Sequence, residues 1–550
     1  GTLVAGETPF YAISEPFDSG NNDQGTLYLF KESQFTAPLT TDDAIISLLG
    51  SEDHHRYGIF LASGGDIDGD GLHDFIILSP QAPSDQVMIY FGKDYGSWNA
   101  GNIISYNSPF LTTDDTNDNY LAASMASIAG DLNGDGYDDI VIGAAKEASS
   151  TNEEGRVYII FGGPSLTDGT LESDADTIIT GNNTTDNVGY SVSIINDINQ
   201  DGYDELLIGN YNENTNLGYA AYLFYGTYNN FSGISNIENA DAIFYSKETN
   251  IDGFSETVAS IGDINDDGYG DFAIGAPNAN SNEGAIYLYL GQETKLNHTQ
   301  TGQDSYKKIT VPGNTKLGLH GIYGGYDLTG DTIHDLIIND PEADETTIES
   351  TYILAGKTTE FTDNINLNDD ASFRITHTHA SDHHFSFSTA LGSDQNKDGI
   401  TDILIGANQL GIAYLFELVP SNEIATADVN ELDTLELFSD DTYTTVITNF
   451  KVGDWVYIQA NTNNPQISTP NLLPLLVTHN NTTTASLLIH SIETGDNTGI
   501  YQDKFKLVGT RTNRAISQVQ ASKGQTITVK SPYLETFNTA LTVENSTPTL

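Results

Sequence analysis

The chain contains no cysteine and no long apolar segment. The absence of cysteine excludes disulfide bonds, thiol catalysis and cysteine-bound metals. A membrane-spanning helix needs about 18 or more consecutive apolar residues, and the densest apolar run, Leu472 to Val477, is far shorter. We therefore predict no transmembrane segment. The chain starts at Gly1 without the n-region and h-region of a leader, so we expect that any signal peptide has been removed.

Basic residues are also scarce. The 550 residues include 20 Lys and Arg against 77 Asp and Glu, which gives a formal net charge of −57. Nucleic acid is excluded as a partner because phosphate binding needs basic patches, and an anionic membrane surface is disfavoured for the same reason. Hydrophobic residues at 38% and aromatic residues at 10% are sufficient for a packed interior, so the acidity does not indicate disorder.

The negative charge is unevenly distributed. From residue 421 onward there are 7 basic and 13 acidic residues, a net charge of −6, whereas the first 420 residues carry 13 basic and 64 acidic residues, a net charge of −51. This shift predicts a boundary near Glu417 to Ala425 between two regions of different physical character.

A nine-residue acidic phrase recurs six times in the first region. Its copies begin at Asp66, Asp131, Asp197, Asp263, Asp327 and Asp394, at intervals of 65, 66, 66, 64 and 67 residues. A period of this length indicates a repeat fold in which each unit is one supersecondary element. Positions within the phrase are numbered 1 to 9 below.

Each unit contains short strands and no amphipathic helix. One candidate strand precedes the phrase, a second follows it, as in Ile140-Val-Ile-Gly143, and a third comes shortly afterwards, as in Val157-Tyr-Ile-Ile-Phe161. Four-stranded units of this kind, repeated radially, form propeller blades. Residues 10–14 and 25–30 match the second and third strands without the phrase, so the N-terminus predicts one more blade, with Gly1 to Glu7 as its first strand.

We therefore predict an all-β protein with a seven-bladed β-propeller over residues 1–418. Two ways of closing the ring remain open: the first residues of the chain, or a strand from the segment after Glu417.

The phrase has the donor pattern of a loop that binds a hard cation. It places Asp at position 1, Asp or Asn at 3, Asp at 5, Gly at 6, a backbone carbonyl at 7 and a carboxylate at 9, and such an oxygen-only cage suits Ca²⁺ better than Mg²⁺. Without a cation, three or four carboxylates in one tight loop would repel each other. The predicted calcium ligands in the five good copies are Asp66, Asp68, Asp70, Leu72, Asp74; Asp131, Asn133, Asp135, Tyr137, Asp139; Asp197, Asn199, Asp201, Tyr203, Glu205; Asp263, Asn265, Asp267, Tyr269, Asp271; and Asp394, Asn396, Asp398, Ile400, Asp402.

A sixth copy departs from the pattern. Thr329 replaces Asp or Asn at position 3, and Thr332 replaces the glycine at position 6. Its weaker set of candidate ligands is Asp327, Thr329, Asp331, Ile333 and Asp335. We predict five calcium sites and leave the sixth open.

The repeated unit resembles the FG-GAP repeat of the integrin α-subunit head propeller. The resemblance is carried by the phrase followed by Ile142-Gly-Ala or Ile274-Gly-Ala-Pro277, and by the elements Tyr57-Gly58, Gly189-Tyr190 and Gly253-Phe254. It implies calcium loops on one face of the propeller and a binding partner on the opposite face. The chain lacks an Asp-x-Ser-x-Ser metal-adhesion motif, so an inserted ligand-binding domain is not predicted.

Other candidate sites have structural explanations. The histidines of the segments 53–55 and 377–384 could form a metal or catalytic site, but Asp53-His-His55 and Asp382-His-His384 occupy equivalent repeat positions, which favours a structural loop. The tyrosine rings at position 7 either pack in the core or form a sugar-binding platform. Neither Gly-x-Ser-x-Gly nor His-Glu-x-x-His is present, so we predict that the protein is not an enzyme, although carboxylate pairs for glycoside hydrolysis remain possible among so many acids.

The C-terminal region has alternating strands without the phrase, which predicts a β-sandwich over residues 435–533. The segments Val452-Gly-Asp-Trp-Val456, Ile492 to Tyr501 and Lys523-Gly-Gln-Thr-Ile527 are similar to immunoglobulin-like modules of bacterial surface and secreted proteins. Residues 419–434 are predicted to be a linker or a propeller-closing segment. Residues 534–550 are predicted to be a tail that acts as a linker or is donated to a neighbouring subunit.

Together these features predict an extracellular or cell-surface calcium-binding protein that acts in adhesion or interaction, with a protein or glycan ligand. Two alternatives remain open. One is a self-assembling structural subunit of a surface layer or extracellular filament, in which exposed strand edges mediate self-association. The other is a glycan-binding or glycan-active secreted protein.

Overall fold

The structure is a computed structural model. It describes residues 2–5, 8–16, 25–31, 34, 39–49, 58, 60–79, 86–92, 110–112, 126–145, 154–164, 166, 169–183, 186–210, 219–228, 231, 234–245, 252–296, 299–301, 305–313, 316–319, 321–340, 349–361, 364–376, 385–393, 400–407, 412–418 and, beyond these, the strands β31 to β39 given below.

Seven separate antiparallel sheets follow one another along residues 2–418. Blade 1 contains β1 (Thr2–Ala5), β2 (Thr8–Glu15), β3 (Thr26–Lys31) and β4 (Ile46–Leu49). Blade 2 contains β5 (Phe60–Gly65), β6 (Asp74–Ser79), β7 (Gln86–Tyr90) and β8 (Phe110–Thr112). Blade 3 contains β9 (Ala126–Ser127), β10 (Ile140–Ala144), β11 (Arg156–Ile160) and β13 (Thr177–Thr180), and β12 (Gly169–Thr170) lies between the last two in sequence.

The remaining blades repeat this order. Blade 4 contains β14 (Val188–Ile195), β15 (Glu205–Asn210), β16 (Ala220–Phe224) and β17 (Ala242–Tyr245). Blade 5 contains β18 (Thr257–Gly262), β19 (Asp271–Ala276), β20 (Ala285–Tyr289) and β22 (Lys307–Thr310), and β21 (Thr299–Thr301) lies between the last two in sequence. Blade 6 contains β23 (Ile322–Tyr326), β24 (Asp335–Asp340), β25 (Ser350–Leu354) and β27 (Phe373–Thr376), and β26 (Asn364–Asn366) lies between the last two in sequence. Blade 7 contains β28 (Phe385–Ser393), β29 (Asp402–Ala407) and β30 (Ile412–Phe416).

The first strands of the blades form a closed inner ring. They approach each other in the order β1, β5, β9, β14, β18, β23 and β28, and β28 in turn approaches β1. The seven-bladed propeller predicted from the sequence is therefore confirmed. The first residues of the chain form the innermost strand of blade 1, so this strand stands between blades 7 and 2.

The core consists of layers between neighbouring blades. Each buried cluster combines apolar side chains from two consecutive blades. At the junction of blades 4 and 5, the ring of Phe272 packs edge-on against Phe244 at 5.4 Å and stacks on Tyr289 at 5.2 Å between centroids. Both faces of a middle strand lie in such layers, so every residue of β15, β19 and β24 is buried. Burying one large apolar side chain in this way contributes about 1.5–3 kcal/mol.

Short segments cover the outer edges of several blades. The strands β12, β21 and β26 pair in parallel with the outer strands β8, β17 and β22 of the preceding blades, and Asn236 forms a parallel bridge with Thr180. Two of these segments run directly into one-turn helices, α1 (Leu171–Asp174) and α3 (Leu367–Asp370), and Asn236 into the 3₁₀ turn Ile237–Asn239. Another 3₁₀ turn, Thr41–Asp43, precedes β4. Covering an edge strand protects it from pairing with another molecule.

Beyond residue 418 the structure describes nine strands in one hydrogen-bonded sheet. They are β31 (Leu432–Phe438), β32 (Asn449–Lys451), β33 (Trp455–Thr462), β34 (Leu472–His479), β35 (Leu487–Glu493), β36 (Ile500–Val508), β37 (Gln518–Gln520), β38 (Thr526–Lys530) and β39 (Asn538–Glu544). The strand order is β31-β33-β36-β35-β34-β38-β39-β32, and β37 also pairs with β36. The immunoglobulin-like sandwich stays a prediction. The strand β39 falls in the predicted tail 534–550 and pairs with β38 and β32 of the same chain.

Within the described part of the chain, no helix has the length and apolarity required to cross a membrane.

A glycine stands two residues after the third strand in blades 2 to 6, and in blades 3 to 6 the backbone of two loops approaches it closely. A Cβ on Gly226 would lie 2.2 Å from the carbonyl oxygen of Asp204 and 2.8 Å from that of Leu132. We predict that Gly226→Ala destabilises the protein by about 1–3 kcal/mol, the usual cost of overpacking, measured by chemical denaturation. Thr227→Ala is the control, because it keeps the backbone hydrogen bond from Thr227 to Leu132 at 2.9 Å. Equal stability of the two variants would contradict the steric argument.

Candidate functional site: the acidic loops

Each acidic phrase forms the loop between the first and second strands of its blade. The acidic loops of blades 2 to 6 are 66–74, 131–139, 197–205, 263–271 and 327–335, and all of their residues are described. In blade 7 the structure describes only 400–402 of the loop 394–402, so the predicted ligands Asp394, Asn396 and Asp398 lie outside the described residues. Because every first strand ends at its loop, all these loops lie on one face of the propeller, called here the acidic-loop face.

The carboxylate at position 1 organises each loop by accepting backbone hydrogen bonds. Its Oδ2 accepts from the N–H at position 6 in all five loops, at 2.7–3.0 Å. The residue at position 6 adopts a left-handed φ, which explains the glycine there: φ is +94° at Gly136 and +73° at Thr332 of the degenerate loop. Thr332 therefore keeps the same turn without the usual residue.

Side chains at positions 3 and 5 fold back onto the same loop. In blade 4, Asn199 accepts from Asp201 N–H at 2.9 Å and donates to Asp201 Oδ2 at 3.0 Å. The corresponding pair Asn133 and Asp135 in blade 3 repeats both bonds, at 2.9 and 3.0 Å. The oxygens at alternate positions are thus held around one small volume.

The carboxylate at position 9 connects the loop to the end of the third strand. In blade 3, Asp139 Oδ2 accepts from Leu132 N–H at 2.7 Å, and Asp139 Oδ1 accepts from Gly162 N–H at 2.9 Å. Asp74, Asp271 and Asp335 make the same two bonds in blades 2, 5 and 6, at 2.6–2.9 Å. In blade 7, Asp402 Oδ1 accepts from Leu418 N–H at 3.0 Å. Position 9 is therefore structural as well as a candidate ligand position.

Blade 4 differs at this position because Glu205 is longer than Asp. Its Oε2 accepts from Ile198 N–H at 2.8 Å. The other oxygen, Oε1, is buried and has no hydrogen-bond partner among the described residues, and the residue as a whole is 0% exposed. An unpartnered buried carboxylate oxygen is costly unless a cation or proton compensates it.

In two loops, ligand atoms of three carboxylates come within 4.8 Å of one another. These are Asp66, Asp68 and Asp74 in blade 2, and Asp197, Asp201 and Glu205 in blade 4. A set made only of oxygen donors, with one orphaned oxygen, fits a hard divalent cation such as Ca²⁺. The loops of blades 2 and 4 therefore each bring three of the predicted ligand carboxylates together, and their role as calcium ligands stays a prediction.

Burial and mutual repulsion raise the pKa of several loop carboxylates. Loss of hydration, aided by neighbouring aspartates and opposed by backbone hydrogen bonds, raises the pKa of Asp74 to about 7 and that of Asp197 to about 6. The same cause, first burial and then the charge of Asp197, raises the pKa of Glu205 well above its usual range. Burial therefore disfavours the ionised form of these carboxylates, and a nearby positive charge would favour it.

Two of the tyrosine rings at position 7 pack on the neighbouring loop, not in the core. A Cβ on Gly69 would lie 2.4 Å from Cε1 of Tyr137, and a Cβ on Gly134 would lie 2.5 Å from Cε1 of Tyr203. These two rings therefore cover the position-4 glycine of the preceding blade, whereas the loop before Tyr269 has Gln200 at position 4. The clustered histidines 54, 55, 377, 379, 383 and 384 lie outside the described residues.

The sequence analysis missed position 8, which links neighbouring loops. Asp138, Asp204 and His334 accept hydrogen bonds from backbone N–H groups of the preceding loop. It also missed the glycine after the third strand in blades 2 to 6. The glycine could have been found because it recurs in the repeat, whereas the residue type at position 8 changes from blade to blade.

Comparison with known proteins finds the same class of repeat. The FG-GAP repeat family model matches residues 126–160, 188–223 and 256–289. These segments contain the acidic loops of blades 3, 4 and 5. Loops with the same hydrogen bonds also occur in blades 2 and 6.

The chain is also similar to whole proteins that contain such repeats. It is 28% identical to mouse integrin alpha-8 over 220 residues, which are 37% of this chain and 18% of that protein. It is 30% identical to Drosophila melanogaster integrin alpha-PS3 over 169 residues, 30% of this chain and 14% of that protein. Identity to the phosphatidylinositol-glycan-specific phospholipase D of Dictyostelium discoideum is 27% over 312 residues, 50% of this chain and 31% of that protein. The chain thus spans less than a third of each of these relatives.

We predict that the metal-free protein loses stability as the pH rises from about 5 to about 8. Unfolded aspartates ionise near pH 4 (about 3.9), whereas the folded pKa is about 7 for Asp74 and about 8 for Asp204, chiefly through burial. Between these limits the folded state binds more protons than the unfolded state, so raising the pH favours unfolding. Urea denaturation of metal-stripped protein across this range measures the effect. Stability that increases with pH would contradict it.

Proposed function

We propose that the protein is a calcium-stabilised, extracellular, integrin-like adhesion or interaction protein without enzymatic activity. The observation that carries the calcium part is the buried, unpartnered Oε1 of Glu205, which lies in one cluster with Asp197 and Asp201. The seven-bladed architecture and the similarity to integrin alpha chains support the adhesion part.

The proposed ligands are those that the phrase predicts at positions 1, 3, 5, 7 and 9. Bound Ca²⁺ would supply positive charge that offsets the repulsion between the loop carboxylates. The chain itself supplies a loop already shaped by hydrogen bonds, so few of the ligands need to be reordered. We propose sites in blades 2, 3, 4, 5 and 7. The loop of blade 6 shares the backbone frame, but Thr329 contributes a hydroxyl in place of a carboxylate or amide oxygen.

The proposed partner, a protein or glycan at a cell surface, binds the face opposite the acidic-loop face. The connections between second and third strands lie there, including the short helix α2 (Ala279–Asn282) of blade 5. Loops on a rigid scaffold are the usual location of recognition.

We predict that calcium raises the melting temperature and that chelation lowers it. A site saturated to about 100 times its dissociation constant contributes about 2.7 kcal/mol. The variant Glu205→Gln should show a smaller calcium-induced gain, because one carboxylate ligand is lost. Its metal-free stability should change little, since burial raises the pKa of Glu205 well above its usual range and keeps it protonated.

Thermal denaturation with calcium and in metal-free buffer measures both effects. Glu238→Gln, the same change at an exposed residue between β16 and β17, is the matched control. A melting temperature that calcium leaves unchanged in the wild-type protein would overturn structural calcium.

We predict that blocking the opposite face, and not the acidic-loop face, prevents adhesion. The chain has no cysteine, so one introduced cysteine can carry a bulky maleimide label. Asn280→Cys places the label in α2, and Tyr228→Cys places it on the acidic-loop face, where Tyr228 is 78% exposed. Binding to immobilised matrix proteins and to neutral and acidic glycans is then compared. Loss of binding only with the Tyr228 label would reverse the assignment of faces, and calcium-dependent oligomers without any binding would favour the surface-layer alternative.

A further inference from the structure

Neighbouring acidic loops are joined by the residue at position 8. Asp138 Oδ2 of blade 3 accepts from Asp66 N–H of blade 2 at 2.5 Å, Asp204 Oδ2 of blade 4 accepts from Asp131 N–H of blade 3 at 2.9 Å, and His334 Nδ1 of blade 6 accepts from Asp263 N–H of blade 5 at 2.9 Å. In every case the donor is the residue at position 1, whose carboxylate organises its own loop.

Asp204 contacts two loops at once. Its Oδ2 accepts from Asp131 N–H, while its Oδ1 accepts from Asp197 N–H at 2.9 Å, which is position 1 of its own loop. Its backbone N–H donates to Asp131 O at 3.0 Å. One carboxylate thus fixes the backbone of the first residue in the loops of blades 3 and 4.

Steric fit shows that the side chain at position 8 is built into the junction. A Cβ on Gly130, the residue before Asp131, would lie 2.8 Å from Asp204 Oδ2. The equivalent Cβ atoms on Gly65 and Gly262 would lie 2.9 Å from Asp138 Oδ2 and 2.7 Å from His334 Nδ1. Glycine before position 1 therefore makes room for the acceptor.

At the junction of blades 4 and 5 the glycine and the larger side chain exchange places. Here the residue before position 1 is Asn196, and position 8 is Gly270, whose Cβ would lie 2.6 Å from Asn196 O. No carboxylate can bridge these loops. Instead Gln200 Nε2 donates to Gly268 O at 2.6 Å.

We infer that Asp204 is a positioning residue that couples the calcium loops of blades 3 and 4, so that occupancy of one raises the affinity of the other. The inference rests on the proposed calcium function. Calcium bound by Asp131 or Asp197 would order that residue and, through the shared carboxylate, the first ligand of the other loop. The second cation would then bind a loop that is already ordered, which gives positive coupling without a large structural change.

The test is a calcium titration of the metal-stripped full chain by calorimetry, with variants that each disable one loop. Asp135→Asn in blade 3 should remove one site and also weaken a second site by about 5-fold or more, a typical size for such coupling. In the Asp204→Asn background this second effect should vanish. Asparagine keeps only one acceptor oxygen, because its amide nitrogen cannot accept a hydrogen bond, so the side chain can no longer use one oxygen for each loop. A double-mutant cycle of the two changes isolates the coupling.

Asp176→Asn is the matched control, since Asp176 Oδ2 also accepts a backbone hydrogen bond, from Phe161 N–H at 2.9 Å, but outside the acidic loops. It should leave the calcium isotherm unchanged. A wild-type protein that binds no calcium would overturn the proposed function itself. If the wild type binds calcium but Asp135→Asn leaves all other sites unaltered, the coupling alone is overturned, and this comparison does not require Asp204→Asn to fold. A lower melting temperature of Asp204→Asn with an unchanged isotherm would assign Asp204 a purely structural role.

Discussion

The propeller depends on carboxylates that accept backbone hydrogen bonds at one end of blades 2 to 7. A carboxylate offers two acceptor oxygens and no donor, so one side chain can satisfy two N–H groups that have no strand partner. Asp139 does this for Leu132 and Gly162, which belong to different connections of blade 3. The loop between the first two strands is thereby attached to the end of the third. Gly162 allows this close attachment, and the neighbouring Gly163 N–H donates to Ile67 O of the preceding blade at 2.8 Å.

This arrangement collects negative charge where hydration is poor. Of the net charge of −57, −51 lies in the first 420 residues, and in the loops of blades 2 and 4 oxygens of three carboxylates lie within 4.8 Å of one another. Hydrogen bonds from backbone N–H groups lower the pKa of Asp263, yet burial outweighs them and raises it to about 6. Repulsion between carboxylates and their loss of hydration thus destabilise the ionised form, whereas the backbone hydrogen bonds that hold the loops stabilise it. A divalent cation or bound protons would relieve this conflict within the loops, whereas most of the acidic residues of the chain lie outside them.

The architecture could be predicted from the sequence because the repeat is periodic. Spacing of the phrase located the blades, and alternation of apolar residues located their strands, including the phrase-free blade 1. The contacts between blades could not be predicted in this way, since Asp131 and Asp204 are 73 residues apart and position 8 holds Asp, Gly, His or Thr. Tyr137 was ambiguous for a related reason: the surface that it covers is Gly69 of another blade. The orphaned oxygen of Glu205 also depends on geometry, because one additional methylene group decides which backbone N–H it reaches. For the C-terminal region the sandwich stays a prediction.

The hydrogen-bonded backbone frame of an acidic loop does not depend on a complete set of cation ligands. Blade 6 has lost the position-6 glycine and the position-3 carboxylate or amide, yet Asp327 Oδ2 still accepts from Thr332 N–H at 2.7 Å, and Asp335 still bonds Leu328 and Gly356. Thr332 adopts φ +73° to keep these bonds, although a β-branched residue is disfavoured there. The backbone frame is therefore preserved where the ligand set is not. It follows that the hydrogen bonds of positions 1 and 9 maintain the loop frame, and that cation binding is a further property which each loop can strengthen or lose without changing that frame.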